Sequence, residues 1–207
     1  MLEFLKQLTD PQSIIHYGGL ALLLFVVFAE TGLLIGFFLP GDSLIFISGM
    51  VCATHEEILG LNIFSLIISL SIAAIIGNIV GYWFGYKIGP PLFKRRDSLI
   101  FKKKYLEITK DFYDKNGGKT LIIGRFLPII RTFAPILAGV IKIDFKKFMF
   151  FNIIGAFCWI SLLSGIGFKL GAYYWVQKNI GYIVIFLIFI TMIPIFITYK
   201  KQKNEKK

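Results

Sequence analysis

Apolar residues run in long blocks along this chain, and the polar stretches between them are short. The blocks cover about 14–53, 61–93, 118–143, 145–177 and 180–199. Each is near or above the ~20 residues that cross a bilayer as a helix. The pattern predicts an all-α polytopic membrane protein forming one transmembrane domain over 1–207, because no polar linker is long enough to separate two. The first block, "GGLALLLFVVFAETGLLIGFFLPGDSLIFISGMVCA" (18–53), is apolar except at Glu30 and Asp42, and Pro40-Gly41 interrupts it. It is too long for one perpendicular span and too short for two spans with a loop. A helix, a break at Pro40-Gly41 and a returning half-helix fit it: a re-entrant hairpin, whose irregular backbone must be buried in protein or line a cavity.

The stretch 121–140, "LIIGRFLPIIRTFAPILAGV", repeats the problem with the opposite charge. Arg125 and Arg131 are each expensive at mid-bilayer, about 2.5–3.5 kcal/mol on insertion scales. Pro128 and Pro135 each remove a backbone donor. A second hairpin, bent at both prolines, accounts for all four. Residues 63–89 form a full span, with Gly77, Gly81, Gly85 and Gly89 every fourth residue, a small-residue strip suited to close helix packing. Residues 94–117 are charged with interspersed apolar positions and predict an interfacial cytoplasmic helix ending at Asn116-Gly117-Gly118. "KIDFKKF" (142–148) marks a boundary before a span at 148–173. "YYWVQKN" (173–179) belongs to an aromatic belt, and 180–199 span again.

Two short motifs recur in order. "GFFLP" (36–40) resembles "GRFLP" (124–128), and "GYKIG" (85–89) resembles "GFKLG" (167–171). The chain thus divides into repeat 1 (about 14–89), a basic interfacial segment (94–117), repeat 2 (about 118–173), a C-terminal span (180–199) and a basic tail (200–207). One crossing lies between the two hairpins, so the repeats are expected to be inverted, the plan of many secondary transporters.

Charge orients this plan. The net charge is +11, concentrated in Lys94, Arg95, Arg96, Lys102, Lys103 and Lys104, and in Lys200, Lys201, Lys203, Lys206 and Lys207. Both clusters directly follow apolar spans, which places them, and the C-terminus, on the cytoplasmic side against anionic headgroups rather than on nucleic acid. The apolar run from Gly18 to Leu39 is too long for a signal-peptide core. Cys52 and Cys158 lack ligand spacing and read as two inert buried thiols. The histidines, His16 and His55, lie outside the spans, so no catalytic dyad, metal site or cofactor is expected and the chain is not read as an enzyme. The sequence leaves room for a homo-oligomer.

Glu30 and Asp42 on one hairpin and Arg125 and Arg131 on the other carry the candidate chemistry. Each has a bland reading: Asp42 as a helix cap in "PGDSL", Arg125 snorkelling to headgroups, and the four together as structural braces. The functional reading gives each type a task. Guanidinium groups grip phosphate with directed donors, so Arg125 and Arg131 would bind a phosphate headgroup. Glu30 and Asp42 would handle protons and gating, the usual work of acids at membrane depth. Arg131→Ala should then stop transport in a folded protein. Which acid faces which arginine is open.

The segments "FAETGLLIGFFLPGDSLIFISGM", "GNIVGYWFGYKIG", "GRFLPIIRTFAPILAG" and "FNIIGAFCW" resemble the DedA family of bacterial membrane proteins, within the wider SNARE-associated or VTT-domain group. The likeness runs from about 25 to 171. The family's acidic pattern falls on Glu30, Pro40, Gly41 and Asp42. Its arginine pattern falls on Arg125, Phe126, Pro128, Arg131 and Thr132, and a further pattern on Asn152, Gly155, Ala156 and Trp159. The resemblance implies two re-entrant hairpins in an inverted repeat, with Thr132 and Asn152 in support. It implies a flippase of the inner membrane, proton-coupled and recycling undecaprenyl phosphate. Movement of phosphatidylethanolamine or general phospholipid scrambling is the alternative within the family. Proton-coupled export of a small solute, and a non-transport scaffold, are the alternatives from the residues alone.

Overall fold

The computed structural model describes residues 11–33, 41–54, 61–94, 103–179 and 182, with the backbone alone for 11–18, 89–94, 103–107, 128–129 and 177. The described residues are helical. Helix α1 covers Pro11–Gly32, with proline at its first position. Gly19 interrupts it at φ 53°, ψ −151°, a conformation open to glycine and strained for other residues. Helix α2 is Gly41–Thr54, α3 is Ile63–Lys94 and α4 is Lys103–Asn116. A short α5, Thr120–Ile123, runs into a 3-10 turn at Gly124–Phe126. Helix α6 is Pro128–Val140, α7 is Phe145–Gly171 and α8 is Tyr174–Lys178.

Two of these helices are long and apolar enough to cross a membrane, Ile63–Ile88 within α3 and Phe145–Gly171. At 1.5 Å per residue both reach roughly 40 Å, beyond the ~30 Å hydrocarbon core. They show apolar stripes outward, Phe64, Ile68, Ile72, Ile76 and Val80 on α3 and Phe150, Ile153 and Phe157 on α7. Spacing of three or four residues keeps each stripe on one face. A soluble protein would bury such faces; a membrane protein turns them to lipid. The apolar pieces Gly19–Gly32, α2 and α6 are shorter. At 13–14 residues each they reach only about 20 Å.

The packing is reciprocal. Helix α2 lies along α7, and α6 lies along α3, while α1 also packs on α3 and the two long helices touch each other. Glycines make these approaches close. An added Cβ on Gly49 would strike the Ser164 backbone, and one on Gly167 the carbonyl of Phe46. In the other pair, Gly139 abuts the Tyr82 carbonyl and Gly85 the carbonyl of Ile136. The strip expected on α3 does its packing work. Gly77 faces Phe28 and Thr31 of α1, Gly81 lies beside Pro135, and Gly85 meets α6. One core gathers Leu23, Val27, Leu44, Ile45, Leu66, Leu70 and Trp159; a second gathers Tyr82, Leu121, Ala134 and Phe148.

Local chemistry sets the boundaries. Asp144 caps α7 by accepting from the Lys147 amide at 3.0 Å, and the Tyr82 hydroxyl donates to the Ile143 carbonyl at 2.7 Å, pinning the preceding turn to α3. Leu127 is extended, at φ −117° and ψ 108°, as a residue before proline prefers, so the break expected at Pro128 is present. The bend expected at Pro135 is not: α6 runs through it unbroken. Pro135 gives up the bond it would donate to the Arg131 carbonyl, and its ring instead fills the groove beside Gly81. The second cysteine also departs from expectation. Cys52 is buried, but Cys158 is exposed, on the outward face with Phe157. Thr31, Ser48 and Thr54 return their hydroxyls to carbonyls three or four residues back, so they add no unmet donors to the interior. Tyr173, Tyr174 and Trp175, the aromatic residues expected to form a belt, are all exposed. The expected break at Pro40, most of the first basic cluster, the span at 180–199 and the tail lie outside the described residues.

Candidate functional site

Four elements converge on one charged group in the interior. Arg131, in the first turn of α6, reaches between α1 and α2. Its Nη2 bonds Oε1 of Glu30, and its Nη1 donates to Oδ1 of Asp42 at 2.6 Å. Trp159 on α7 completes the set. Its indole N–H donates to the same Asp42 oxygen at 3.1 Å, and its ring lies 4.9 Å from the Arg131 guanidinium carbon. Both acids expected from the sequence therefore meet one arginine. Asp42 does not serve only as a helix cap, since its carboxylate is engaged by α6 and α7.

Glu30 is 1% exposed, and its second oxygen, Oε2, has no hydrogen-bond partner. That oxygen sits against Gly41, where an added Cβ would collide with it. The Pro-Gly step was read as a helix break. Its glycine has a second job, giving the carboxylate of the neighbouring helix room to reach Arg131.

Arg125 has a different environment. It is 2% exposed, so snorkelling is ruled out. No carboxylate among the described residues approaches it. Its Nη2 donates to Asn152 Oδ1 at 2.8 Å and to the Asn152 carbonyl at 3.3 Å, while Nε and Nη1 have no partner. Its guanidinium carbon lies 5.7 Å from the Trp159 ring. The two arginines thus share one indole, as the break between them allows: on an unbroken helix six residues would set them about 240° apart. A buried guanidinium without a counter-charge costs several kcal/mol, so packing alone does not account for it.

Of the supporting residues, Asn152 holds Arg125 directly, and Thr132 is buried beside Arg131. Three contributors went unassigned from sequence. Trp159 appeared only as part of a motif, yet it contacts both arginines. Asn78 bonds Asn152 at 2.7 Å across the long helices; its signal was an amide in the middle of an apolar span. Gly155 lies under the Arg125 side chain, and an added Cβ would come 3.0 Å from Nε and 2.8 Å from the Leu121 carbonyl. Gly155→Ala is therefore expected to cost about 1–3 kcal/mol, read as a lowered thermal midpoint of the purified protein. An unchanged midpoint would mean that Arg125 moves aside freely.

Comparison with known proteins identifies the family. The chain matches the VTT domain over residues 39–169. It is 39% identical over 184 residues to Protein DedA of Escherichia coli, covering 89% of this chain and 83% of that protein. It is 34% identical over 201 residues to the uncharacterized membrane protein ML0287 of Mycobacterium leprae, covering 95% and 88%. It is 29% identical over 182 residues to the inner membrane protein YghB of Escherichia coli, covering 87% and 80%. No solved structure matches. With the domain matched over most of its length and relatives aligned nearly end to end, the chain belongs to the DedA family of VTT-domain membrane proteins.

Proposed function

We propose that this protein moves a phosphate-headed lipid between the leaflets of the bacterial inner membrane, with undecaprenyl phosphate as the leading substrate and protons as the coupling ion. Arg125 and Arg131 receive the phosphate; Glu30 and Asp42 exchange protons and gate the site. One observation carries the reading: a buried guanidinium, Arg125, left without a counter-charge beside a second arginine held by two acids. A phosphate would satisfy the free donors of the first and compete with the carboxylates for the second. A scaffold held by braces accounts for Arg131 but not for Arg125.

The packing supports an inverted repeat of two re-entrant hairpins. Phe46 and Gly49 meet Gly167 and Ser164; Ile136 and Gly139 meet Gly85 and Tyr82. In both cases two positions three residues apart on a short helix meet two positions three residues apart on a long helix, in reversed order. The short helix of each half thus packs on the long helix of the other, as a two-fold relation between the halves would place them. Helices of about 20 Å suit elements that enter the membrane without crossing it. The basic clusters support a cytoplasmic side for the segment after α3 and for the C-terminus.

The test is a lipid-translocation assay in reconstituted vesicles, comparing undecaprenyl phosphate with phosphatidylethanolamine across a pH gradient of either sign. Movement of undecaprenyl phosphate that follows the sign of the gradient is the expected result. Movement of both lipids regardless of sign would point to a scramblase. Transport of a soluble solute with lipid unmoved would replace this reading with an exporter. A scaffold, finally, would keep its function when Glu30 and its observed partner Arg131 exchange identities, and a flippase would not.

A further inference from the structure

Asn78 on α3 and Asn152 on α7 sit between the two long helices, both almost fully buried. Every contact they offer Arg125 is uncharged. Asn152 accepts from Nη2 through its side-chain oxygen at 2.8 Å and its carbonyl at 3.3 Å. The Asn78 amide stands between three groups, and its two orientations satisfy different ones; in the second its oxygen also meets Asn152 Oδ1 at 2.7 Å. In one it donates to Asn152 Oδ1 at 2.7 Å. In the other its oxygen accepts from Arg125 Nη2 at 2.8 Å and its nitrogen donates to the Thr31 carbonyl at 3.1 Å, next to Glu30. An amide oxygen orients a guanidinium through its dipole and leaves the full positive charge in place. A carboxylate at either position would cancel it. Arg131 is the contrast, since each of its Nη atoms is already bonded to an acid.

We propose that Asn78 and Asn152 are positioning residues that fix Arg125 without neutralising it, so that Arg125, and not the acid-bound Arg131, is the first contact of an anionic phosphate headgroup. The proposal rests on the reading of this site as a phosphate-lipid path. Aspartate has nearly the same shape as asparagine, so Asn78→Asp and Asn152→Asp each place a carboxylate beside Arg125, at the loss of one amide donor, to Asn152 Oδ1 or to the Ile75 carbonyl. Two effects of opposite sign follow. A buried carboxylate paired with a buried guanidinium removes an uncompensated charge, which raises the thermal midpoint. The same pairing occupies the anion receptor, which weakens phosphate binding.

The experiment measures binding of farnesyl phosphate by calorimetry to the full chain in detergent micelles, with thermal midpoints of the same samples. Farnesol, which lacks the phosphate, serves as the control ligand. The expected result is a midpoint several degrees higher in the aspartate variants, with affinity for farnesyl phosphate lowered about tenfold or more. A merely structural role for the amides would move both readings in the same direction. Binding at wild-type strength in both variants would overturn the assignment to Arg125 while leaving the phosphate-lipid reading standing. Loss of folding in both would overturn it equally, because a carboxylate facing an unmatched guanidinium must stabilise. A wild-type chain that binds farnesol as well as farnesyl phosphate, or neither, would remove the phosphate-lipid reading itself.

Discussion

Arg131→Ala will unfold or severely loosen this protein as well as stop its activity. The substitution strips the cation from two acids at once, and Glu30 is left at 1% exposure with neither oxygen bonded to Arg131. Breaking a buried ion pair from one side costs about 3–5 kcal/mol, a large part of the 5–15 kcal/mol typical of a folded domain. The sequence suggested an inactive but folded variant; the shared arginine changes that expectation. A second variant separates stability from function. Replacing all three partners by neutral groups of similar shape, Arg131→Met with Glu30→Gln and Asp42→Asn, leaves no unmatched charge at these three positions. It is expected to recover much of the thermal midpoint and none of the lipid movement. Recovered movement would mean that the cluster is only a brace.

The second large effect concerns backbone contact rather than charge. Gly167→Ile will prevent α2 and α7 from closing. A Cβ there meets the Phe46 carbonyl and comes 3.3 Å from the Met50 amide, both backbone atoms that no side-chain rotation can move. Overpacking of this kind costs about 1–3 kcal/mol where neighbours can shift, and an isoleucine against fixed backbone falls at or above the upper end. Gly165→Ile, two residues away on the same helix, is the control, because nothing lies within 4 Å of a Cβ there. The measurement is the yield of monodisperse protein after extraction and its thermal midpoint. Equal values for the two variants would remove the argument that glycine sets this interface.

The long spans, the break at Pro128 and the glycine strip were legible because each depends on local chemistry: hydropathy over about twenty residues, a missing donor, a missing side chain. Glu30, Asp42, Arg125 and Arg131 stood out for the same reason, as charges in apolar sequence. Their partnership did not. Whether Glu30 meets Arg131 or Arg125 is fixed by how the Arg131 side chain reaches from α6 to both α1 and α2, a tertiary fact without a local signature. The site's neutral members were hidden because a tryptophan and two asparagines in helices have many ordinary reasons to be present. Pro135 misled because a proline predicts a lost bond but not what the neighbouring surface offers in return. Here a glycine on α3 leaves a place for its ring, and the helix continues. Cys158 misled because apolar sequence in a membrane protein is as much a sign of lipid contact as of burial.

The reciprocal packing also divides the molecule mechanically. Helices α1, α3 and α6 make one group, and α2 with α7 makes another, with a seam where α3 meets α7 and α1 meets α2. Glu30 and Arg131 belong to the first group; Asp42 and Trp159 belong to the second. The bond from Arg131 to Glu30 is therefore internal to one group, and the bond from Trp159 to Asp42 is internal to the other. The Arg131–Asp42 bond, the Arg131–Trp159 ring contact and the amide bonds of Asn152 with Asn78 and the Ile75 carbonyl bridge the seam. Sliding along it would leave each acid with a companion while uncovering one edge of the guanidinium. The two carboxylates, alike in chemistry, would then differ in mechanical role: Glu30 travels with the arginine, and Asp42 is the latch it leaves behind.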